Sequence, residues 1–330
     1  MINGLKKALK YVLPIGLGLA LLNWVFKDID ILVTLQSFKD ANYFLVFFAA
    51  ILALLSHISR AARWNIMLEP MGYKPSLKST SIAVLIGYLT NLVFPRAGEF
   101  ARSASLQKSE NVPFDKSFGA VIAERIIDVL ILGALVLINL LLEFGRIKSL
   151  FVDLFGNQNP SNLLLFIGGL VLLGVLGLVV FQQNKDKFLK IGLVKKVFDF
   201  TAGLRSGLLS VLKIEKSAQF FLHTFFIWTM YYVSTYLLCK AVSLGDSLSF
   251  LAVLTILVMG SIGMAIPTIG GIGSYHLLVG KIVALYGLSN QDGISLATFL
   301  HTMTGILFIL IFGLIAFIMS FLSTKKANIS

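Results

Sequence analysis

The stretch Ser79-Thr80-Ser81-Ile82-Ala83-Val84-Leu85-Ile86-Gly87-Tyr88-Leu89-Thr90-Asn91-Leu92-Val93-Phe94-Pro95-Arg96-Ala97-Gly98-Glu99-Phe100-Ala101-Arg102 opens as an apolar helix and closes as a polar turn. A helix crossing about 30 Å of hydrocarbon needs roughly 20 largely apolar residues. Residues 79–94 fall short of that. Pro95 lacks the amide that a continuing helix requires, and Gly98 relaxes the backbone just beyond it. Such a segment either crosses fully, or enters the membrane, turns at Pro95 and returns to the same side.

Charge bias decides between these paths. Segment 183–217 contains Lys185, Lys187, Lys190, Lys195, Lys196, Arg205, Lys213 and Lys216, whereas 143–160 has only Arg146 and Lys148. Cytoplasmic loops carry the excess of Lys and Arg, so 183–217 belongs in the cytoplasm. Counted from a cytoplasmic N-terminus, a full crossing by 79–94 puts that segment outside. A re-entrant turn puts it inside, together with 58–78, 96–116 and the Lys325/Lys326 tail. Most of the 28 basic residues are then cytoplasmic, which favours re-entrance and places both termini inside.

The whole composition is membrane-like: 57% of the 330 residues are hydrophobic and 13% charged, with a mean hydropathy of +0.88, where soluble domains carry about 25% charged residues. The 27 Phe and 28 Gly suit rings against lipid and close helix approach. A net charge of +12 would suggest nucleic acid in a soluble protein; here it borders an anionic leaflet, and no nucleic-acid partner is expected. The lone Cys239 reads as a small buried hydrophobe and offers no disulfide framework. Residues 1–26 begin like a signal peptide, with Lys6, Lys7 and Lys10 before an apolar run. That run ends in Asn23-Trp24-Val25-Phe26 without a small-residue cleavage site, so it reads as a retained first span.

Further candidate spans are 41–58, 117–142, 162–181, 218–239, 248–266 and 294–322, with a second short apolar stretch at 275–288. Parity requires 248–288 to begin and end outside, as two spans or as a broken re-entrant hairpin. The expected fold is all-α: a polytopic bundle of about 7–8 spans plus one or two re-entrant or broken segments, with 1–330 as one integral membrane domain. The two interrupted segments, entered from opposite sides, suggest an inverted repeat, although no residue-by-residue repeat accompanies them. In transporters such pairs mark the substrate site. Within 183–217 a basic amphipathic helix on the cytoplasmic leaflet and an ordinary connecting helix fit equally well.

Four constellations carry candidate chemistry. In the first, Asn91, Pro95, Arg96, Gly98, Glu99 and Arg102 surround the turn; the arginines offer forked donors for phosphate and Glu99 can pair with either. The second is Glu124-Arg125-x-x-Asp128. Its carboxylates are four residues apart on one helix face, and charges inside a span mark functional sites by default; Arg125 needs a partner, Glu99 or Asp128. The third, Arg60-x-x-Arg63-Trp64, lies at the end of the second span and suits interfacial anchoring or a headgroup contact. The fourth is Pro267-x-x-Gly270-Gly271-x-Gly273-Ser274-Tyr275-His276, a tight turn whose exposed amides favour an anion, with Lys281 beyond. No metal or cofactor is expected, since His57, His223, His276 and His301 lie in separate segments without ligand spacing. No Walker motif, Gly-x-Ser-x-Gly elbow or His-Glu-x-x-His occurs.

Taken in order, these motifs resemble the lysylphosphatidylglycerol synthase transmembrane region family, which includes the flippase-like domain of multiple-peptide-resistance proteins. The resemblance covers about residues 5–322. It departs where many members have an Arg-Glu pair and this chain has Tyr275-His276, so no carboxylate is carried over there. The resemblance implies lipid translocation across the bacterial cytoplasmic membrane, without the soluble aminoacyl-transferase domain and hence without synthase activity. The expected function is passive or ion-coupled flipping of a phospholipid or glycolipid. Its headgroup would sit among Arg63, Arg96, Glu99, Arg102, Glu124, Arg125 and Asp128, with Gly270, Gly271, Gly273 and His276 opposite. Membrane lipids are the expected partners. The alternatives are an intramembrane enzyme using Glu124 or Asp128 as a base, and a non-transporting partner in cell-envelope assembly.

Overall fold

A computed structural model describes residues 23–27, 29–94, 96–146, 215–266 and 268–327. The expected first span, apart from its last residues, the span 162–181 and nearly all of the basic linker lie outside these. Residues 140–213 form a separate compact unit, described only to residue 146, where Arg146 pairs with Glu143 at 2.8 Å. Among the described residues every regular element is helical.

Helix α1 (Ile31–Lys39) starts at Asp30, whose side chain accepts the Leu32 amide. Helix α2 (Tyr43–Leu68) starts at Asn42, which caps the Phe44 amide in the same way. With 26 residues, α2 is about 39 Å long at 1.5 Å per residue, enough to cross a bilayer. Its first half exposes Phe44, Phe47 and Leu55, while its second half buries Arg60, Arg63, Trp64 and Met67. The sequence reading ended this span at residue 58. The helix continues for ten further residues because nothing breaks it and its arginines find carboxylates inside the bundle.

Helix α3 (Leu77–Val93) and helix α4 (Gly98–Glu110) form an antiparallel hairpin. Ser76 caps α3, and Glu110, at the far end of α4, accepts the Ser76 amide and hydroxyl. Both ends of the hairpin therefore return to one place, as a re-entrant element requires. The helices touch through Gly87 and Gly98: a Cβ on Gly87 would stand 2.8 Å from the Gly98 carbonyl oxygen. At the tip Arg96 adopts φ 62, unusual for a residue with a side chain.

Helix α5 (Phe114–Leu142) is the second helix of full membrane length and α6 (Ser217–Lys240) packs along α2. Helix α7 (Phe250–Ala265) and helix α8 (Ser274–Ala284) make a second hairpin. Their 16 and 11 residues reach only about 24 and 16 Å, short of the roughly 30 Å of a hydrocarbon core. Its helices close on Gly263, where a Cβ would stand 2.8 Å from the Tyr275 Cα. The two hairpins meet at their tips, where the Arg96 guanidinium donates to the Ala265 carbonyl at 3.3 Å. Helix α9 (Asn290–Leu300), a π-helical turn (His301–Leu307) and α10 (Phe308–Ala327) complete a third long apolar element, which packs on α3 at Gly313.

Candidate functional site

Helices α2, α4, α5 and α6 bring their charged and polar residues to one buried point. Arg60 and Arg63 are one turn apart on α2, and Glu124 and Asp128 one turn apart on α5, so two forks face two carboxylates. Arg60 Nη1 lies 2.5 Å from Glu124 Oε1 and 2.7 Å from Asp128 Oδ2. Arg63 Nη2 lies 2.8 Å from Asp128 Oδ1 and 3.3 Å from Glu124 Oε1. From α4, Arg102 donates to both Glu124 oxygens, at 3.3 and 3.0 Å, with its guanidinium 3.9 Å above the Trp64 ring. Helix α6 adds two oxygens: Tyr231 accepts from Arg60 at 3.1 Å and Thr224 from Arg63 at 3.0 Å.

The charges in this cluster do not balance. Arg60, Arg63, Arg102 and Glu124 are buried, and the Asp128 side chain is nearly so. Three guanidiniums thus face two carboxylates, an excess of one positive charge in a place where uncompensated charge is costly. The next pair outward does not remove it, because Arg125 and Glu99 are partly exposed and sit 3.7 Å apart. Arg125 also stands 3.8 Å from Glu124.

A pit leads to this cluster from the hairpin. Val84, Gly87, Tyr88 and Asn91 of α3 form one wall; Gly98, Glu99 and Arg102 of α4, with Arg125 of α5, form the other. Gly98 has a local reason: its amide donates to the Asn91 side chain at 2.7 Å, locking the turn onto α3. The Arg102 Nε–H is buried and has no hydrogen-bond partner among the described residues. The same is true of the Nε–H groups of Arg60, Arg63 and Arg125, of which only Arg125 also lines the pit. The free space there is about 10 Å³, room for one water, so a larger group enters only if the hairpin moves.

The structure thus gathers Asn91, Gly98, Glu99, Arg102 and Arg125 around one pit, with Glu124, Asp128 and Arg63 behind it. Arg96 instead reaches the tip of the other hairpin, and Pro95 lies outside the described residues. Gly270, Gly271, Gly273 and His276 do not line the pit. His276 accepts the Gly273 amide on Nδ1 at 3.3 Å and caps its own helix, so one amide of the expected anion nest is already taken. The sequence reading left Arg60 out of the site and missed Tyr231 and Thr224. The one signal for Arg60 was its place one turn before Arg63.

Three comparisons bear on identity. A profile of the family described as "Lysylphosphatidylglycerol synthase TM region" matches residues 11–313. UPF0104 membrane protein PH1989 of Pyrococcus horikoshii is 23% identical over 320 residues, covering 88% of this chain and 90% of that protein. Glycosyltransferase AglD of Haloferax volcanii is 32% identical over 97 residues, 29% of this chain. UPF0104 membrane protein MJ1595 of Methanocaldococcus jannaschii is 33% identical over 89 residues, 26% of this chain. The chain spans only 16% of the length of AglD and 26% of that of MJ1595. No solved structure matches.

Proposed function

The chain belongs to the lysylphosphatidylglycerol synthase TM region family, and from that premise we propose that it moves a phosphate-bearing phospholipid or glycolipid across the cytoplasmic membrane, passively or coupled to an ion. The observation that carries this reading is the unbalanced charge: one more buried guanidinium than carboxylate, behind a pit lined by Arg102 and Arg125. A headgroup phosphate supplies the missing negative charge, and charge-assisted bonds offset its desolvation. The acyl chains stay in lipid. In this reading both termini lie on the cytoplasmic side, as the charge bias of the sequence favours.

Proteoliposomes containing a fluorescent, headgroup-intact phosphatidylglycerol test this, with loss of dithionite protection as the readout. The protein is expected to speed inward and outward exchange. An Arg125→Gln variant is expected to lower that rate at least tenfold without unfolding, because this side chain lines the pit, is partly exposed and lies outside the closed ionic core. Exchange at the wild-type rate in that folded variant refutes the assignment.

A second reading, chemistry on a lipid-linked sugar, draws on the name of the AglD relative. The geometry favours it less. The Glu124 oxygens already accept from Arg60 and Arg102, and those of Asp128 from Arg60 and Arg63, so neither carboxylate is poised as a base. Mass spectrometry of purified protein incubated with a lipid-linked sugar would reveal any product.

A further inference from the structure

The tip of the second hairpin holds titratable side chains that the pit does not use. His301, the first residue of the π-helical turn, is 1% exposed. Its Nε2 lies 2.7 Å from the Gly270 carbonyl oxygen. A carbonyl can only accept, so Nε2 carries the proton and Nδ1 of the neutral ring is a bare lone pair. That Nδ1 is buried without a hydrogen-bond partner among the described residues. The ring stacks on Tyr275, centroids 4.9 Å apart, and meets His276 edge-on at the same distance. His276, whose Nδ1 accepts the Gly273 amide, packs on Phe26 at its other side. Two imidazoles therefore hold two backbone groups of the glycine turn, one at each end.

Among the described residues the surroundings contain no counter-charge. From α8 the groups facing His301 are Tyr275 and His276, and behind Tyr275 lies Cys239 of α6. From α2, His57 meets the Tyr88 ring at a tilt, centroids 4.6 Å apart, and Arg60 and Arg63 pair with Glu124 and Asp128. The carboxylate of α9, Asp292, is at the opposite end of that helix, bonded to Ser289. Among the described residues neither imidazole is paired with a carboxylate.

We infer that His301 is a proton-binding site whose occupancy opens the tip of hairpin 2. A second proton on Nδ1 creates a donor and a positive charge where the described residues offer neither an acceptor nor a counter-ion. That state is relieved when Nδ1 meets water or an anion, which requires the 270–273 turn to move off the ring. The backbone there is built to move: Gly270, Gly271 and Gly273 have φ of 56, 78 and 83, and the π-helical turn stores one residue that a regular helix would release. Since the Ala265 carbonyl at this tip receives Arg96, its opening also frees the tip of the first hairpin. The proton is then the ion linked to hairpin movement. Its use in driving lipid movement rests on the function proposed above; the opening itself does not.

Hydrogen-exchange mass spectrometry on the full chain in nanodiscs, at pH 7.5 and 5.5, tests the opening without any transport assay. Rates are corrected for intrinsic exchange and referenced to peptides of α2. Opening of 266–277 linked to one proton increases by up to tenfold per pH unit, so an increase of at least tenfold is expected across this range. It should vanish in His301→Gln, whose amide can still donate to the Gly270 carbonyl but cannot titrate. A flat wild-type response, or an undiminished response in folded His301→Gln, overturns the inference. Should that variant not fold, histidine 15N spectra of the wild type decide. The ring must gain its second proton over the pH range in which the tip opens, and a ring that stays neutral while the tip opens overturns it.

Discussion

Replacing Glu124 by Gln keeps the shape of the side chain and removes the charge that three arginines share. Afterwards Asp128 still faces Arg60 and Arg63, but Arg102 loses its only bonded carboxylate and keeps just the Trp64 ring. Removing one partner of a buried ion pair costs about 3–5 kcal/mol, since the other charge stays buried and unpaired. A Coulomb estimate agrees: two unit charges 3.0 Å apart at an effective dielectric constant near 20 attract by about 5 kcal/mol. With about 1.4 °C of melting temperature per kcal/mol in a chain of 330 residues, Glu124→Gln should melt about 4–7 °C lower. Tryptophan fluorescence in detergent provides the assay, using the three Trp of the chain. Adding Arg102→Gln takes away the stranded charge. The pair has then been replaced by neutral groups of similar size, a change that is often neutral. The double variant should therefore melt higher than Glu124→Gln alone, by a coupling of about 1–3 kcal/mol. A single-variant shift below about 2 °C, or a double variant that falls by the sum of both losses, refutes the account of the ionic core.

Two further outcomes follow from the first hairpin. In Gly98→Ala the new methyl meets the Gly87 carbonyl and the Asn91 amide, so α3 and α4 must separate. The expected loss is about 1–3 kcal/mol, whereas Gly119→Ala on α5, which meets nothing within 4 Å, should gain about 0.5–1 kcal/mol; melting of the two variants side by side checks the contrast. At the base, burial pushes the Glu110 carboxyl up, but hydrogen bonds from Ser79 and Ser76 outweigh it and hold it below its ordinary 4.5. A depressed carboxyl stabilises the folded state above the ordinary value, and that contribution is lost as pH falls through the folded one. Hydrogen exchange of 73–80 should therefore rise below about pH 4.5 in the wild type, and Glu110→Gln should show the faster exchange without that pH dependence.

Much of this arrangement was legible because it depends on local sequence. The short run 79–94, Pro95 and Gly98 mark a break from length and backbone chemistry, and charge bias chose a re-entrant hairpin over a full crossing. Glu124 and Asp128 in an apolar helix identify a buried face. The extent of α2 was not legible. Arg60 in an apolar window reads as the end of a span, and what lets the helix continue is a pair of carboxylates 64 and 68 residues away. The pairing of Arg125 was expected with Glu99 or Asp128. The structure places it near Glu99 and Glu124, because Asp128 turns toward the arginines of α2. His276 looked like a lone titratable group beside an open turn. Its ring is occupied by the Gly273 amide, a contact three residues long that depends on the glycine adopting φ 83.

A bundle selected for stability alone has little use for this ionic core, since apolar residues of similar volume are commonly at least as stabilising. What the core does achieve is position. Arg102 is bonded to Glu124 and lies over the Trp64 ring, which fixes its guanidinium beside the pit. The hairpin above it is held differently, by a glycine contact without interlocking side chains at Gly87–Gly98 and by a serine–carboxylate clasp at its base. In lipid no hydrophobic force opposes the parting of two apolar helices, so close packing at small residues sets the strength of such seams. With α4 tied to the ionic core through Arg102, a seam held mainly by packing leaves movement to α3. An anion arriving at the pit would then meet a fixed donor and a movable wall, which is the division of labour that translocation of a headgroup requires.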